Sequence, residues 1–263
     1  MRNLIDLALQ SPRDQPPYLA YCSSVASVIN TKDYIPIPEK IFDDPTAASP
    51  LGYSRSKWVA ESICAAAHEH TPLRSRIAVF RVGQLSGDTK NGVWNTKEAW
   101  PMMLSTVRLT GCLPDLGAEP LNWLAVDVAA RAFVEATGSM SKAGKGKEWM
   151  KVFHVLNENE TPTWTEMLKW LQKIEEFGIV SPAEWVRRLE AKEEQMKDHA
   201  AMKLLDHWKK AYGEGKEEKE TTAGPKFAME ETKKAAPVMG KARPVDEEYF
   251  GKMWRWLQEN MDL

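Results

Sequence analysis

A tyrosine and a lysine four positions apart, Tyr53 and Lys57, are the residues whose types and spacing most directly predict chemistry. On a helix, side chains with this spacing lie on one face, one turn apart. A lysine ammonium beside a phenol stabilises the phenolate and lowers the tyrosine pKa from about 10. A tyrosine tuned in this way can exchange a proton with a carbonyl or an alcohol. The pair therefore predicts acid–base chemistry at an oxygen atom.

The spacing alone does not establish a function. It recurs at Tyr212 and Lys216, in a segment broken by glycines, where we assign it no role. For Tyr53 and Lys57 the alternative interpretation is a surface tyrosine lying over a lysine stem. The sequence around Tyr53 and Lys57 distinguishes the functional interpretation from the surface one.

The context of Tyr53 favours the functional interpretation. Tyr53 follows Gly52 and begins a helical pattern over about 53–68, whose predicted apolar face is formed by Val59, Ile63 and Ala66 or Ala67. Ser24 ends the aromatic and apolar run at 18–24, which is typical of a buried strand. A hydroxyl at the carboxyl end of a strand lies where ligands bind in open α/β sheets.

Strand and helix patterns alternate along the first part of the chain. Strands are predicted within 18–24, 75–87, 122–138 and 151–157, with helices at 3–10, at about 53–68 and after the third strand. This alternation predicts an α/β fold with a parallel sheet covered on both faces. His154 lies among alternating apolar residues and is predicted to be a core histidine.

The character of the sequence changes after residue 157. Thr163 with Glu166, and Ser181 before Pro182, predict helix starts. We expect a charged helix over 190–212, a mobile linker at about 213–241 and a final amphipathic helix. These patterns predict two domains, 1–157 and a helical subdomain at 158–263.

Composition excludes several classes of protein. The 263 residues carry 35 basic and 37 acidic side chains, a net charge of -2, which gives no reason to expect a nucleic-acid or membrane partner. No apolar run approaches the roughly 18 residues of a membrane helix. The three cysteines are widely spaced and form no metal motif, so we predict no metal site and a cytoplasmic location. Cys22 is expected to be buried.

Four segments together carry a family resemblance: YCSSVAS at 21–27, GYSRSKWVAE at 52–61, FRVGQLSG at 80–87 and WLAVD at 123–127. They resemble the extended short-chain dehydrogenase/reductase family. More narrowly, the chain is similar to the thioester reductase domains of NRPS-like enzymes, aminoadipate reductases and carboxylic acid reductases, which contain the male sterility NAD-binding domain. The resemblance implies a partial Rossmann-type parallel sheet with a mostly helical C-terminal substrate subdomain.

The resemblance also implies roles for individual residues. Ser24 matches the residue that hydrogen-bonds the substrate carbonyl, and Tyr53 matches the proton donor. Lys57 matches the residue that holds the nicotinamide ribose and tunes the tyrosine. The turn beside the nicotinamide is matched by Gly83, Gln84 and Leu85.

The reaction implied is hydride transfer from NADPH to an acyl thioester carried on the phosphopantetheine arm of a carrier domain. The product is an aldehyde, or an alcohol after a second reduction. Residues 88–121, which include Trp94, Trp100, Met102, Met103 and Leu113, form an insertion that could line an acyl channel or serve in ordinary packing. Relatives acting on fatty acyl-CoA or nucleotide sugars are further alternatives.

The glycine-rich phosphate loop of dinucleotide-binding proteins is missing from this sequence. Its first glycine is Gly52, and Gly83 and Gly87 have the wrong spacing. We therefore expect a fragment of a longer polypeptide or a truncated gene model, and expect NADPH binding to need more than this chain. The remaining alternative is a catalytically silent remnant that acts in docking or as a scaffold.

Overall fold

A computed structural model describes residues 1–32, 34–142, 150–195, 197–213 and 224–261. Within these ranges the strands are β1 (Leu19–Ser24), β2 (Ile77–Val82), β3 (Leu85–Ser86), β4 (Cys112–Pro114), β5 (Leu124–Ala125), β6 (Lys151–Val155) and β7 (Gly178–Val180). The α-helices are α1 (Arg2–Leu9), α2 (Gly52–His70), α3 (Ala99–Thr110), α4 (Val126–Lys142), α5 (Trp164–Leu171), α6 (Pro182–Glu190), α7 (Leu205–Tyr212), α8 (Glu230–Ala235) and α9 (Glu247–Asn260). None of these helices has the length and apolarity that a membrane span requires.

The chain forms two compact units, each built from three segments. Unit 1 comprises Met1–Leu85, Trp123–Glu158 and Gly224–Arg243. Unit 2 comprises Ser86–Asn122, Asn159–Ala223 and Pro244–Leu263. The division into domains at residue 157 stays a prediction.

A parallel three-stranded sheet with the order β1-β2-β6 forms the centre of unit 1. The predicted α/β fold with a parallel sheet is confirmed. The central strand β2 has the sequence IAVFRV, and its residues Ile77 to Arg81 are all buried. A near-continuous apolar run is expected there, because helices cover both faces of such a strand.

The two faces of this sheet pack against different helices. On one face, Ile77 and Val79 join Cys64 and Ala67 of α2 in a buried cluster. On the other face, Ala78 and Phe80 join a cluster with residues of α4 and α8. Alternation along β2 therefore places Arg81 on the α2 side, at the carboxyl end of the strand.

Helix α2 buries a different face from the one predicted. Val59 is 49% exposed and Ile63 is 37% exposed, whereas Glu61 is 2% exposed. Of the alanines, Ala67 is buried and Ala66 is exposed. Helical periodicity identifies residues that share a face, but the packing partner decides which face is buried. Here that partner includes Arg81, which compensates a buried carboxylate.

Cys22 is exposed, so its predicted burial is wrong. Among the described residues, β1 pairs with β2 alone and is the edge of its sheet. Successive side chains of a strand point to opposite faces. Tyr21 and Ser23 face α2, and Cys22 points to the other face.

The predicted linker at 213–241 is wrong for residues 224–241, which are an integral part of unit 1. Residues 214–223, with Lys216, lie outside the described ranges. Met229, Ala236 and Met239 of this segment are buried in the cluster on the α4 side. The carboxylate of Glu39 accepts hydrogen bonds from two backbone N–H groups at the start of α8, both at 2.7 Å. The segment was predicted as a linker because it has few aromatic residues and because its few buried residues lie among lysines and glutamates.

Unit 2 is mostly helical, with β4 and β7 paired in parallel. The predicted capping box of Thr163 and Glu166 begins α5, and Ser181 caps α6 as predicted. The predicted continuous helix at 190–212 is wrong, because α6 ends at Glu190 and α7 begins at Leu205. The residues between them offer few apolar side chains, and most helical stability in proteins comes from packing an apolar face.

Two buried tryptophans of unit 2, Trp164 and Trp185, donate their indole N–H groups to acceptors from other elements. Trp164 Nε1 donates to the carbonyl of Pro114 at 2.8 Å, and Trp185 Nε1 donates to Thr106 Oγ1 at 2.9 Å. In the insertion at 88–121, four of the residues named above are buried in packing: Trp94, Met102, Met103 and Leu113. A role of this insertion in binding an acyl group stays a prediction.

Candidate functional site

Ser24 is the last residue of β1 and lies where the strand gives way to a 3₁₀ helix, Val25–Ser27. Its backbone is extended, and its Oγ accepts a hydrogen bond from the N–H of Ala26 at 3.2 Å. This bond uses a lone pair of the hydroxyl and leaves its proton able to donate. The side chain is half-buried, so a ligand at the strand end can reach it.

Tyr53 and Lys57 lie in the first two turns of α2, with Gly52 as the first helical residue. Lys57 Nζ donates a hydrogen bond to the carbonyl oxygen of Cys22 at 3.0 Å. The same nitrogen lies 5.5 Å from the centroid of the Tyr53 ring. The structure thus brings the predicted pair together and fixes the ammonium two residues before Ser24.

A second tyrosine also lies beside Lys57. Lys57 Nζ is 5.5 Å from the Tyr21 ring centroid as well. Burial, followed by the charges of neighbouring groups, raises the pKa of Tyr21 to about 12. Tyr53, by contrast, is 58% exposed. Of the two phenols, Tyr53 is therefore the more accessible to a substrate.

The predicted turn after β2 is held close to the end of β6. The Gly83 N–H donates to the carbonyl of Val155 at 2.9 Å. A Cβ at Gly83 would lie 2.7 Å from Leu156 Cβ, so a larger residue would displace the turn. The carbonyl of Gln84 accepts from the N–H of Leu124 at 2.8 Å, and Gln84 Nε2 donates to the carbonyl of Leu85 at 2.8 Å.

A buried ion pair that the sequence patterns did not predict lies next to the residues that flank Ser24. Glu61 of α2 is 2% exposed and Arg81 of β2 is 0% exposed. Arg81 Nη2 donates to Glu61 Oε2 at 2.7 Å, and Arg81 Nε lies 3.1 Å from the same oxygen. Glu61 Oε1 accepts from the hydroxyls of Ser23 at 2.5 Å and Ser27 at 2.6 Å.

The ion pair extends to the third strand through His154, which is buried as predicted. Arg81 Nη1 lies 3.3 Å from His154 Nε2, and a guanidinium can only donate. His154 Nδ1 therefore carries the proton and donates to the carbonyl of Ala228 at 2.7 Å. Burial, and then the neighbouring Arg81 charge, lower the pKa of His154 to about 4, so the ring is neutral near pH 7.

Two signals in the sequence could have revealed this network. Glu61 follows Lys57 by four residues, so Tyr53, Lys57 and Glu61 share one helical face. Arg81 is the only charged residue in the strand IAVFRV, and a charge in a buried strand needs a partner.

The residues present fit one end of a nicotinamide cofactor. Lys57 and Tyr53 could hold a ribose hydroxyl. Gly83 has no side chain, so the turn that it forms presents only backbone to a cofactor. The pyrophosphate end has no glycine-rich loop in this sequence. In the part of the chain that the structure describes, no group of three or more His, Cys, Asp or Glu side chains could hold a metal ion.

The chain is similar to several known reductases. The adenylate-forming reductase Nps10 of Heterobasidion annosum is 29% identical over an alignment 268 positions long, which covers 97% of this chain and 23% of the relative. The reductase (R) domain of a nonribosomal peptide synthetase from Mycobacterium tuberculosis has a TM-score of 0.72 at 20% identity, covering 97% of this chain and 62% of that chain. A thiolation-reductase di-domain from an archaeal non-ribosomal peptide synthetase has a TM-score of 0.62 at 17% identity, covering 98% and 52%.

The chain thus spans less than two thirds of the length of each of these relatives. At such low identity, the solved structures establish the fold alone. The model of an NAD-binding family described as male sterility protein matches residues 1–133, half of the chain. The predicted resemblance to short-chain reductases and to the reductase domains of NRPS-like enzymes is confirmed, and the chain belongs to the male sterility family of NAD-binding proteins.

Proposed function

We propose that this chain carries the catalytic residues of an NADPH-dependent reductase that acts on an acyl thioester held by the phosphopantetheine arm of a carrier domain. The observation that carries this proposal is the hydrogen bond from Lys57 Nζ to the Cys22 carbonyl at 3.0 Å. It fixes the ammonium beside Tyr53 and next to the strand end that carries Ser24. This contact supports a single site on unit 1 for the three predicted residues.

In this proposal the protein acts on the carbonyl oxygen of the thioester. A bound nicotinamide cofactor supplies the hydride. Negative charge develops on the carbonyl oxygen, where the Ser24 hydroxyl and the Tyr53 phenol donate hydrogen bonds. Tyr53 transfers its proton to that oxygen, and the Lys57 ammonium stabilises the resulting phenolate. The tetrahedral hemithioacetal then loses the thiol and leaves an aldehyde.

The relatives support the substrate class. One of them is an adenylate-forming reductase, and another combines a thiolation domain with a reductase domain. A thiolation domain presents its acyl group as a thioester, which is the chemistry proposed here. The choice of NADPH over NADH rests on the family resemblance.

A second candidate is a docking or scaffold role without catalysis. It is favoured by one observation, the lack of a glycine-rich phosphate loop within the 263 residues. The two candidates differ in whether a protein containing this chain binds NADPH and oxidises it.

The first experiment follows NADPH absorbance with an acyl-pantetheine thioester as substrate. We expect Tyr53→Phe to lower kcat by about 100-fold or more, because general acid catalysis contributes on the order of 10²–10⁴. Tyr21→Phe is the matched control, since it also removes a phenol beside Lys57 but one with a pKa of about 12. If Tyr53→Phe leaves the rate unchanged, the proposed mechanism is wrong.

The second experiment titrates NADPH against this chain and against the same chain with any coding sequence that continues upstream in its frame. Binding that needs the longer chain, followed by thioester reduction, supports the reductase. Binding by neither protein, with a thiolation domain still captured, supports the docking role.

A further inference from the structure

We propose that Glu61 and Arg81 form a positioning pair that holds Ser24 in register with Tyr53 and Lys57. This inference rests on the proposed reductase function, because it concerns the same three residues. Neither Glu61 nor Arg81 is given a part in the chemistry, since both are buried and neither can touch a substrate. Their role is to join the strand end to the helix.

On the strand side, the Glu61 carboxylate binds the residues on either side of Ser24 in the fold. The Ser23 hydroxyl donates to Glu61 Oε1 at 2.5 Å. The Ser27 hydroxyl lies 2.6 Å from the same oxygen and 2.8 Å from the carbonyl of Ser24, and its proton is shared between these two acceptors. The backbone on both sides of the Ser24 side chain is therefore fixed to one carboxylate.

On the helix side, Glu61 lies one turn after Lys57 and two turns after Tyr53. Two hydrogen bonds thus tie this face of α2 to β1: Lys57 Nζ to the Cys22 carbonyl at 3.0 Å, and the Ser23 hydroxyl to Glu61 at 2.5 Å. These ties involve consecutive strand residues that immediately precede Ser24. A helix and a strand joined at two adjacent points cannot slide past each other.

Arg81 holds the Glu61 carboxylate in one position. Its Nε and Nη2 atoms bind Glu61, and with Ser23 and Ser27 they supply four donors. A carboxylate offers about four acceptor sites, so the oxygens of Glu61 are fully used. The register places Ser23, Arg81 and His154 side by side across the three strands. Through Ser23 and His154, the pair is therefore linked to all three described strands of the sheet.

Such a framework matters because catalysis is sensitive to small displacements. A shift of about 1 Å in a reacting group can cost about 100-fold in rate. The loss of a hydrogen bond that positions Ser24 should lower kcat while leaving the KM nearly unchanged, because substrate contacts remain.

The test removes the serine ties and keeps the ion pair, so that the fold survives. The variant is Ser23→Ala/Ser27→Ala, and Ser23→Ala alone serves if the double variant does not fold. The matched control is Ser62→Ala, on the same helix, whose half-buried hydroxyl donates to the carbonyl of Trp58 at 3.1 Å and touches none of these groups. Each protein is assayed for kcat and KM with NADPH and an acyl-pantetheine thioester, and for amide hydrogen exchange in peptides covering 19–28 and 52–61.

We expect the double variant to lose roughly tenfold in kcat with a KM within about twofold of the original. We also expect faster exchange at 19–28, with Ser62→Ala unchanged in both measurements. An unchanged kcat, or an equal loss in Ser62→Ala, would overturn the inference. If the unmodified protein reduces no thioester, the proposed function is wrong, and amide hydrogen exchange alone tests the positioning pair. Faster exchange at 19–28 in the double variant then supports the pair, and unchanged exchange refutes it.

Discussion

The two faces of the unit 1 sheet bury different kinds of side chain. On the face toward α4 and α8, the side chains of β2 and β6 are apolar except for Lys151 at the start of β6, which pairs with Glu231 of α8. On the face toward α2, the apolar layer ends in a row of polar groups formed by Ser23, Arg81 and His154. The apolar face requires only matched volume, whereas the polar row requires every donor to meet an acceptor. Ser24 follows Ser23 in β1, and Lys57 lies one helical turn before Glu61, so two of the candidate catalytic residues are adjacent in sequence or helix position to this polar network.

The largest expected effect comes from removing one half of the buried ion pair. Arg81→Met leaves the Glu61 carboxylate buried without its partner, and we expect a loss of about 3–5 kcal/mol in the free energy of unfolding. Urea denaturation measures this loss. Adding Glu61→Gln should restore a large part of it, because no uncompensated charge remains. A double variant no more stable than Arg81→Met would show that the pair does not behave as a unit.

The next effect is a dependence of stability on pH that arises from His154. Its pKa in the folded protein is about 4, and its unfolded value is about 6.5. The unfolded chain therefore binds a proton between these values that the folded chain does not. Stability should fall as the pH decreases from about 6.5 to 4, with a slope of at most about 1.4 kcal/mol per pH unit from this group.

Denaturation at several pH values separates this contribution from those of other groups. His154→Gln should remove the slope, whereas His70→Gln, whose parent side chain is 75% exposed, should keep it. An equal slope in His154→Gln and the unmodified protein would show that His154 is not the source of the pH dependence.

A smaller effect is expected on the apolar face. Phe80 stacks on Phe133 with ring centroids 4.1 Å apart, and it also contacts Phe153 at 5.1 Å. Phe80→Leu should cost about 1–1.5 kcal/mol, from a small cavity and the lost aromatic pairing. The pH slope should be unchanged, and a changed slope would mean that the two faces are not independent. A double-mutant cycle with Phe133→Leu measures the aromatic coupling.

The smallest expected change in the free energy of unfolding comes from an exposed ion pair of unit 1, which can be compared with the buried pair of Glu61 and Arg81. Lys233 Nζ lies 2.5 Å from Glu158 Oε2, and both side chains are more than two fifths exposed. Lys233→Met should change the free energy of unfolding by about 0.5 kcal/mol or less, since water screens such pairs. Denaturation under the conditions used for Arg81→Met gives the comparison. A loss close to that of Arg81→Met would show that burial does not set the difference.

Local patterns predicted much of the fold. The strand and helix order in unit 1, the capping box at Thr163 and the cap at Ser181 all follow from interactions within a few residues. The errors arose where the partner is distant in sequence. Residues 224–241 were predicted as a linker because their anchors, such as Met229 and Met239, are few, and the core that buries them comes from elsewhere in the chain.

The sequence by itself determined that Tyr53 and Lys57 share a helical face and that Ser24 ends a strand, because helix and strand periods follow from backbone geometry. Only the tertiary structure decided that the face with Glu61, rather than the one with Val59 and Ile63, turns inward. The Glu61 carboxylate can be buried only where a partner is supplied, and that partner, Arg81, lies on β2, 20 residues further along the chain. That partnership is a property of packing, which no local period encodes.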